Sequence, residues 1–406
     1  MIRRKGSTAM ATVFEATTLA GMRPANRIIR SATHEGLGDR EDFPARLAER
    51  YIRLAEGGAG AIITGYAGVS RDGRAWPNML MIDDDSYVAA YRQVTDAVKP
   101  HGAPLIMQLA HGGGRTEPAV TGEEAKAPSR HRYKGSGTTA RELTEGEIER
   151  IIDAFAQGIV RAWKSGFDGA QLHAAHGYLL SQFLSPALNR RRDRWGGSTG
   201  NRFRVVREII GRARATVGDF PLLVKLSAYD YDDGGMRLEE AVRLAQMCRE
   251  ASFDAIEVSC GNDNWFCVVR SPKVPVEAIV ELSPAFRGAS WLKKKIAGLL
   301  IPRLFATYDE QENYNVAAAA AIKAAVDIPV IVVGGVRRLA AVEGIVAAGQ
   351  ADYVSMCRPF VIQPDIVARL RDGRQEGSRC INCNYCLIGV GANPLKCYYG
   401  RLPGQG

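Results

Sequence analysis

Short apolar runs recur along the chain, each followed by a segment whose apolar residues return at helical spacing, and this alternation predicts βα units around a parallel sheet. The expected strands lie at 26–33, 59–65, 104–110, 167–173, 221–227, 255–259, 329–333 and 351–356. Helical patterns fall at 45–56, 87–99, 238–250, 314–326 and 338–348, and the clearest starts at Thr144. There Thr144-Glu-Gly-Glu147 has capping-box spacing, Ile148, Ile151, Ile152, Phe155 and Ile159 follow on one face, and Gly166 stops the helix. Eight such units make a TIM (β/α)8 barrel. An open doubly wound sheet is the alternative, because periodicity alone does not show closure.

One connection breaks the rhythm. Residues 261–312 form a long excursion that holds Trp265, Phe266, Trp291, Lys293-Lys294-Lys295 and Leu299-Leu300-Ile301. A connection of that length carries structure or function of its own. It reads either as a lid over the carboxyl face of the barrel or as a surface decoration or oligomer contact. The expected organisation is therefore an extension over 1–25, a barrel over 26–376 with an insertion at 261–312, and a cysteine-rich tail over 377–406.

Composition narrows the class. The 406 residues are 46% hydrophobic and 24% charged, and no apolar run approaches the roughly 20 residues of a spanning helix. The basic start, Met1-Ile-Arg-Arg-Lys-Gly, is not followed by an apolar stretch, so a secretory leader is not expected and a cytoplasmic location is. The formal net charge of +9 is scattered apart from Arg190-Arg191-Arg192 and Lys293-Lys294-Lys295. With no aromatic residues interleaved, it reads as a solvated surface and as attraction for phosphorylated cofactors, not as a nucleic-acid site. Neither a nucleic-acid nor a membrane partner is expected, and homo-oligomerisation is left open.

The chemistry concentrates beyond the fourth strand. His173-Ala-Ala-His176-Gly-Tyr178 sets two imidazoles and a phenol at the carboxyl end of a buried strand, where such folds place their reactions, and this can handle an oxyanion and a proton. As a plain packing arrangement it would use two of the chain's six histidines within a few residues. At the last two strands, Gly334-Gly335 offers backbone amides and Arg358 a guanidinium, the corner where barrels hold phosphate. Thr33, Gln108 and Lys225 complete the rim. Lys225 would either face a cofactor that gains negative charge or pair with a carboxylate.

These residues resemble the old yellow enzyme family of FMN-dependent ene-reductases over about 26–370, most specifically in His173 to Tyr178 and on through Asn201-Arg202. Asn26-Arg27-Ile28, Gln108-Leu-Ala-His111-Gly-Gly, Ala127-Pro-Ser129, Ile331-Val-Val-Gly334-Gly335 and Ala351-Asp-Tyr-Val-Ser-Met-Cys-Arg358-Pro359 follow in the family's order. The resemblance implies FMN across the barrel mouth, its phosphate on Gly334, Gly335 and Arg358, its ring bonded by Thr33 and Gln108, and Lys225 near its N1–O2 edge. At that last position the family more often has Arg. It also implies reduction by NAD(P)H, delivery of hydride to an activated alkene whose carbonyl is held by His173 and His176, and protonation by Tyr178. Selectivity is expected from Trp265 and Phe266 and from the loop 66–78.

Four of the eight cysteines cluster at the end of the sequence as Cys380-Ile-Asn-Cys383-Asn-Tyr-Cys386, with Cys397 downstream. In a cytosolic chain this spacing suits an iron–sulfur cluster or zinc, or else marks a tail of free thiols. The segment resembles the 4Fe–4S motif of the 2,4-dienoyl-CoA reductase and trimethylamine dehydrogenase group. In that group the second gap is usually one residue longer and flavin and nicotinamide domains follow, so a separate electron-donor partner is an alternative. A different class, a metal-dependent barrel hydrolase using His173 and His176, lacks further ligands, since Thr33, Gln108 and Lys225 bind metals poorly. A scaffold that keeps the barrel without its chemistry is the non-enzymatic reading.

Overall fold

The computed structural model describes residues 12–133, 137–231, 233–262, 265–309 and 312–402. In chain order the strands are β1 (Ile28–Arg30), β2 (Ala61–Ile63), β3 (Leu105–Ala110), β4 (Gly169–Ala174), β5 (Leu222–Ser227), β6 (Ala255–Ser259), β7 (Val330–Val333) and β8 (Tyr353–Met356). Each pairs in parallel with the next, and β1 pairs with β8 through Ile28↔Val354 and Ile29↔Ser355. That last pairing closes the ring, so the sheet is a TIM barrel and the open-sheet alternative is set aside. The first strand is shorter than expected: Asn26 Oδ1 accepts from the Ile28 amide at 2.9 Å and fixes its start.

The barrel helices are α1 (Phe43–Glu56), α2 (Tyr87–Val98), α3 (Glu145–Lys164), α4 (Thr199–Val217), α5 (Leu238–Glu250), α6 (Val316–Lys323), α7 (Leu339–Ala347) and α8 (Ile366–Arg371). α3 begins at the capping box read from the sequence: Thr144 Oγ1 accepts from the Glu147 amide, and Glu147 Oε2 accepts from the Thr144 amide at 2.9 Å. Its apolar face, Ile148, Ile151, Ile152, Phe155 and Ile159, is buried. Truncating Phe155 to Ala would remove about 3–5 kcal/mol of packing. Gly166, at φ +81°, ends the run in a conformation that only glycine adopts freely.

Side chains inside the barrel change character with height. The floor is apolar: Ile29, Ala61, Ile63, Ile106, Leu223, Ala255, Ile331 and Tyr353 pack together. Leu19 and Met22, joined by the tight turn Ala20-Gly21 at φ +51° and +81°, plug it from below. Above the floor, alternation along the strands turns Gln108, Gln171, Lys225, Glu257 and Ser355 inward, all buried.

The excursion after β6 has its own short helices, Trp265–Val268, Val276–Leu282 and Trp291–Leu300. It braces the cysteine-rich segment. Ala278, Tyr398 and Leu402 form one apolar cluster with Leu282, Tyr385 and Ile388 packed on it, and the Tyr385 hydroxyl donates to Glu277 Oε2 at 2.8 Å. The segment after α8 then runs on to the loops after β1 and β2. There the Leu395 amide donates to the Glu35 carbonyl at 2.9 Å, and Asn78 Nδ2 to the Val390 carbonyl at 2.9 Å.

Candidate active site at the carboxyl end of the barrel

The β4 strand ends at Ala174, and the chain turns back through His176 at φ +61° and Gly177 at φ +70°. A histidine in this left-handed region is uncommon, and such conformations persist where neighbours over-determine them. Here the His176 amide donates to Ser227 Oγ at 3.2 Å, its Nε2 lies 2.7 Å from Ser259 Oγ, and Arg115 Nη1 donates to its carbonyl at 2.6 Å. The turn folds Tyr178 back over His173, with ring centroids 4.7 Å apart, while His176 meets His173 edge-on at 4.9 Å. The three groups named from the sequence are thus gathered into one cluster.

The rest of the motif supports this turn. Asn189 Nδ2 donates to the carbonyls of Phe183 and Trp195, Arg202 binds the carbonyls of Leu184 and Gly197 and pairs with Glu240, and Ser198 caps α4 at Asn201. These polar side chains stand in for backbone partners along an irregular loop.

Electrostatics sets the proton inventory. Burial holds both imidazoles well below the usual histidine range, helped by Lys225 and Arg115 for each and, for His173, by His176 as well. Both rings are therefore neutral at pH 7, each with one N–H to donate. Nδ1 of His173 is buried with no hydrogen-bond partner. Burial raises the Tyr178 phenol, partly offset by Arg115, whose guanidinium sits 5.1 Å over its ring, and by Tyr66 and Trp76 within hydrogen-bonding reach. The phenol keeps its proton. Tyr66 lies 5.3 Å from Tyr178 and stacks on His34 at 5.0 Å, so the 66–78 loop forms one wall of the cluster.

Beneath it is a polar layer whose organising group the sequence reading missed. Glu257 Oε1 accepts from Ser31 Oγ at 2.6 Å and from Ser355 Oγ at 2.7 Å, while Oε2 accepts from Gln171 Nε2 at 2.9 Å and lies 3.2 Å from Lys225 Nζ. Gln171 Oε1 accepts from Gln108 Nε2 at 2.7 Å, and Lys225 Nζ also donates to Ser31 Oγ at 2.9 Å. Burial alone would raise the Glu257 carboxyl, but Lys225 and these hydrogen bonds hold it below the usual range. The lysine is paired with a carboxylate. The signal was a lone acidic residue in the apolar run Ala255-Ile-Glu-Val-Ser. Thr33 sits beyond β1, its hydroxyl donating to the Ser31 carbonyl at 3.2 Å.

At the opposite rim, Gly334 has φ +150° and Gly335 +72°. A Cβ at Gly334 would come within 2.6 Å of Asn315 Nδ2 and 2.9 Å of the Tyr314 ring. Burial raises the Tyr314 phenol and the charge of Arg358 partly offsets this, while Arg358 donates to Asn384 Oδ1 and, at 3.4 Å, to the Val269 carbonyl. The glycine pair and the guanidinium therefore occupy one corner, and the guanidinium also faces the cysteine-rich segment. Asn384 Nδ2 bonds Ser271 Oγ at 2.7 Å, and Asn382 Nδ2 bonds the Arg270 carbonyl at 3.0 Å. Both asparagines are left-handed, at φ +61° and +63°, and they flank Cys383.

Cys380, Cys383, Cys386 and Cys397 line one cavity together with Arg358. Yet among the described residues no three His, Cys, Asp or Glu side chains converge to hold a metal ion. Burial pushes the Cys386 thiol up to about 12 and raises Cys383. Phe266, expected to shape selectivity, is buried against Phe305, with centroids 4.8 Å apart, and the side chain of Trp265 lies outside the described residues.

Comparison with known proteins places this geometry. The sequence profile of the NADH:flavin oxidoreductase / NADH oxidase family matches residues 12–262. The chain belongs to this family. It is thereby a member of a family of flavin oxidoreductases that use NADH or NADPH. It is 36% identical over 369 residues to the NADH oxidase of Thermoanaerobacter brockii, an alignment covering 90% of this chain and 51% of that one. It is 38% identical over 251 residues to the NADPH dehydrogenase of Geobacillus thermodenitrificans, covering 61% and 73%. The old yellow enzyme homologue from Zymomonas mobilis superposes with a TM-score of 0.72 at 24% identity, covering 95% of this chain and all of that one, which establishes the shared barrel. The chain spans about half the length of the NADH oxidase it matches.

Proposed function

We propose that the chain is an FMN-dependent NAD(P)H oxidoreductase that reduces the C=C bond of an α,β-unsaturated carbonyl or related activated alkene. The observation that carries this reading is the pair of neutral imidazoles packed against a protonated phenol. Paired neutral N–H donors suit a carbonyl oxygen that gains negative charge, because they stabilise the charge as it develops without forming an ion pair beforehand. A phenol held in its acid form suits proton delivery to the neighbouring carbon.

Several residues fit a flavin. Gly334, where any Cβ would collide with Asn315 and Tyr314, keeps this corner free of a side chain, and Arg358 supplies a guanidinium for a phosphate. Thr33 and Gln108 supply polar atoms at the mouth, and Lys225 supplies a cation tempered by Glu257. When bound, FMN would accept hydride from the reduced nicotinamide and return it to the alkene. The protein's own part is to hold the carbonyl on His173 and His176, to give the Tyr178 proton, and to exclude water with Tyr66 and Trp76. Protein reconstituted with FMN should retain the pigment through gel filtration, bleach with NADH or NADPH, and recover colour anaerobically with 2-cyclohexenone. A barrel that keeps no flavin, or bleaches and then ignores the enone, would remove the reading.

A second reading rests on the cysteine cavity: four thiols line one space and two left-handed asparagines fold the loop about Cys383, so a rearrangement that drew the thiols together would let them ligate an iron–sulfur cluster or zinc. In that case a separate electron-donor protein would serve as partner. Iron, sulfide and zinc analysis of anaerobically purified protein decides it, and metal-free protein with full enone turnover rejects it.

A further inference from the structure

Most of the excursion after β6 is tied down, but one face of it is not. In the helix Trp291–Leu300 and the turn Ile301–Leu304, the side chains of Trp291, Leu292, Ile296, Leu299, Leu300 and Leu304 all face solvent, with Trp291 68%, Leu299 67% and Leu304 72% exposed. Scattered apolar residues on a surface need no explanation, but a contiguous set of this size on one element marks an interaction site. The helix is well formed, since Ser290 Oγ accepts from the Lys293 amide at 3.3 Å. It is held from beneath by buried Ile301 and by Lys294, which pairs with Glu281 at 3.1 Å.

Along this stretch the charge has one sign, apart from Glu281 of the underlying helix, which Lys294 neutralises. Between Ser283 and Tyr308 the chain carries Arg287, Lys293, Lys294, Lys295 and Arg303 and no acidic residue, and Lys295 lies 5.2 Å over the ring of Trp291. A second copy meeting the same face about a twofold axis would set these cations against their duplicates. Lysine is also depleted in protein interfaces, whereas lysine beside tryptophan and leucine on one short helix is the composition of elements that lie in a lipid headgroup layer.

We propose that the face formed by Trp291, Ile296, Leu299 and Leu304 with Lys293 and Lys295 docks on an anionic lipid bilayer surface. The contact is peripheral, because among the described residues no helix is long and apolar enough to cross a membrane. The apolar side chains enter the headgroup region, and the lysines remain at the level of the phosphates. This revises the expectation of no membrane partner, and it does not depend on the proposed reaction.

The test is sedimentation of the full chain with vesicles of phosphatidylcholine alone and of equal parts phosphatidylcholine and phosphatidylglycerol. The protein should sediment with the anionic vesicles and not with the neutral ones, and salt should release it. Lys293→Glu with Lys295→Glu should weaken partitioning by about thirtyfold or more, at about fivefold for each cation lost. Trp291→Ser with Leu299→Ser should abolish it. Both variants alter exposed side chains, so thermal midpoint and far-ultraviolet circular dichroism should stay at parental values. Equal binding to both vesicle types, binding to neither, or binding that survives either double variant overturns the proposal. So does a dimer in sedimentation equilibrium that Trp291→Ser with Leu299→Ser dissociates, since the face would then belong to a second copy.

Discussion

On the β4 side of the barrel mouth, two imidazoles and a phenol come from six successive positions, and the chain's own turn at His176 and Gly177 stacks them together. On the β8 side, Arg358 meets Asn384 and Val269, Asn384 meets Ser271, and the cysteine loop leans on the excursion, so each contact joins stretches well separated in sequence. In the first corner the reacting groups are local, although Ser227, Ser259 and Arg115 hold the turn from outside. The second is an assembly of loops, each held by the next. In the proposed reaction, chemistry that must be closely placed would sit on the former, and anchoring of a phosphate or a metal, which tolerates adjustment, would sit on the latter.

This contrast can be attacked directly. Tyr178→Phe should slow enone reduction by about 10²–10⁴-fold while leaving bleaching by the nicotinamide unchanged, read by stopped-flow absorbance in the two half-reactions. Equal loss in both would show that the β4 corner does not divide its labour this way. Glu257→Gln strips the buried Lys225 of its countercharge and should remove about 3–5 kcal/mol of stability in urea unfolding, with Lys225→Met in the same chain restoring much of it. An unchanged midpoint would mean that the layer under the mouth is not a paired network.

Asn384→Ala should cost about 1–3 kcal/mol and loosen FMN through Arg358, while the enone half-reaction of flavin-saturated protein holds its rate. Acid tests the β4 wall. His34, His173 and His176 are all held below the usual range, chiefly by burial. The unfolded chain therefore binds protons below about pH 6.5 that the folded chain refuses, and folding should lose up to about 1.4 kcal/mol per pH unit for each of them as pH falls further. His34→Gln should flatten that slope by about one such step. Smallest of all, Tyr385→Phe breaks an exposed bond to Glu277 and should shift stability by about 0.5 kcal/mol or less.

How much of this was readable beforehand follows the same division. The strand–helix rhythm, the capping box at Thr144 and the His173 to Tyr178 run are local signals, and each sits where the sequence implies. Glu257 was passed over because its meaning lies across the barrel, in Lys225, Gln171 and two serines from other strands, although its charge inside an apolar strand was a visible clue. Arg115 was missed because a guanidinium after three glycines says nothing of a carbonyl 61 positions away. The excursion was read as a lid or a decoration. Its link to the cysteine segment depends on contacts such as Asn384 with Ser271, which no periodicity encodes.

The return of the carboxyl-terminal segment to the first loops has a mechanical consequence. Leu395 is bonded to Glu35 and, through its carbonyl, to Arg50, while Val390 is bonded to Asn78 and Gly391 approaches Trp76. Residues 390–395 thus lace the cysteine-rich segment to the wall beside Tyr178, so the two share one rim.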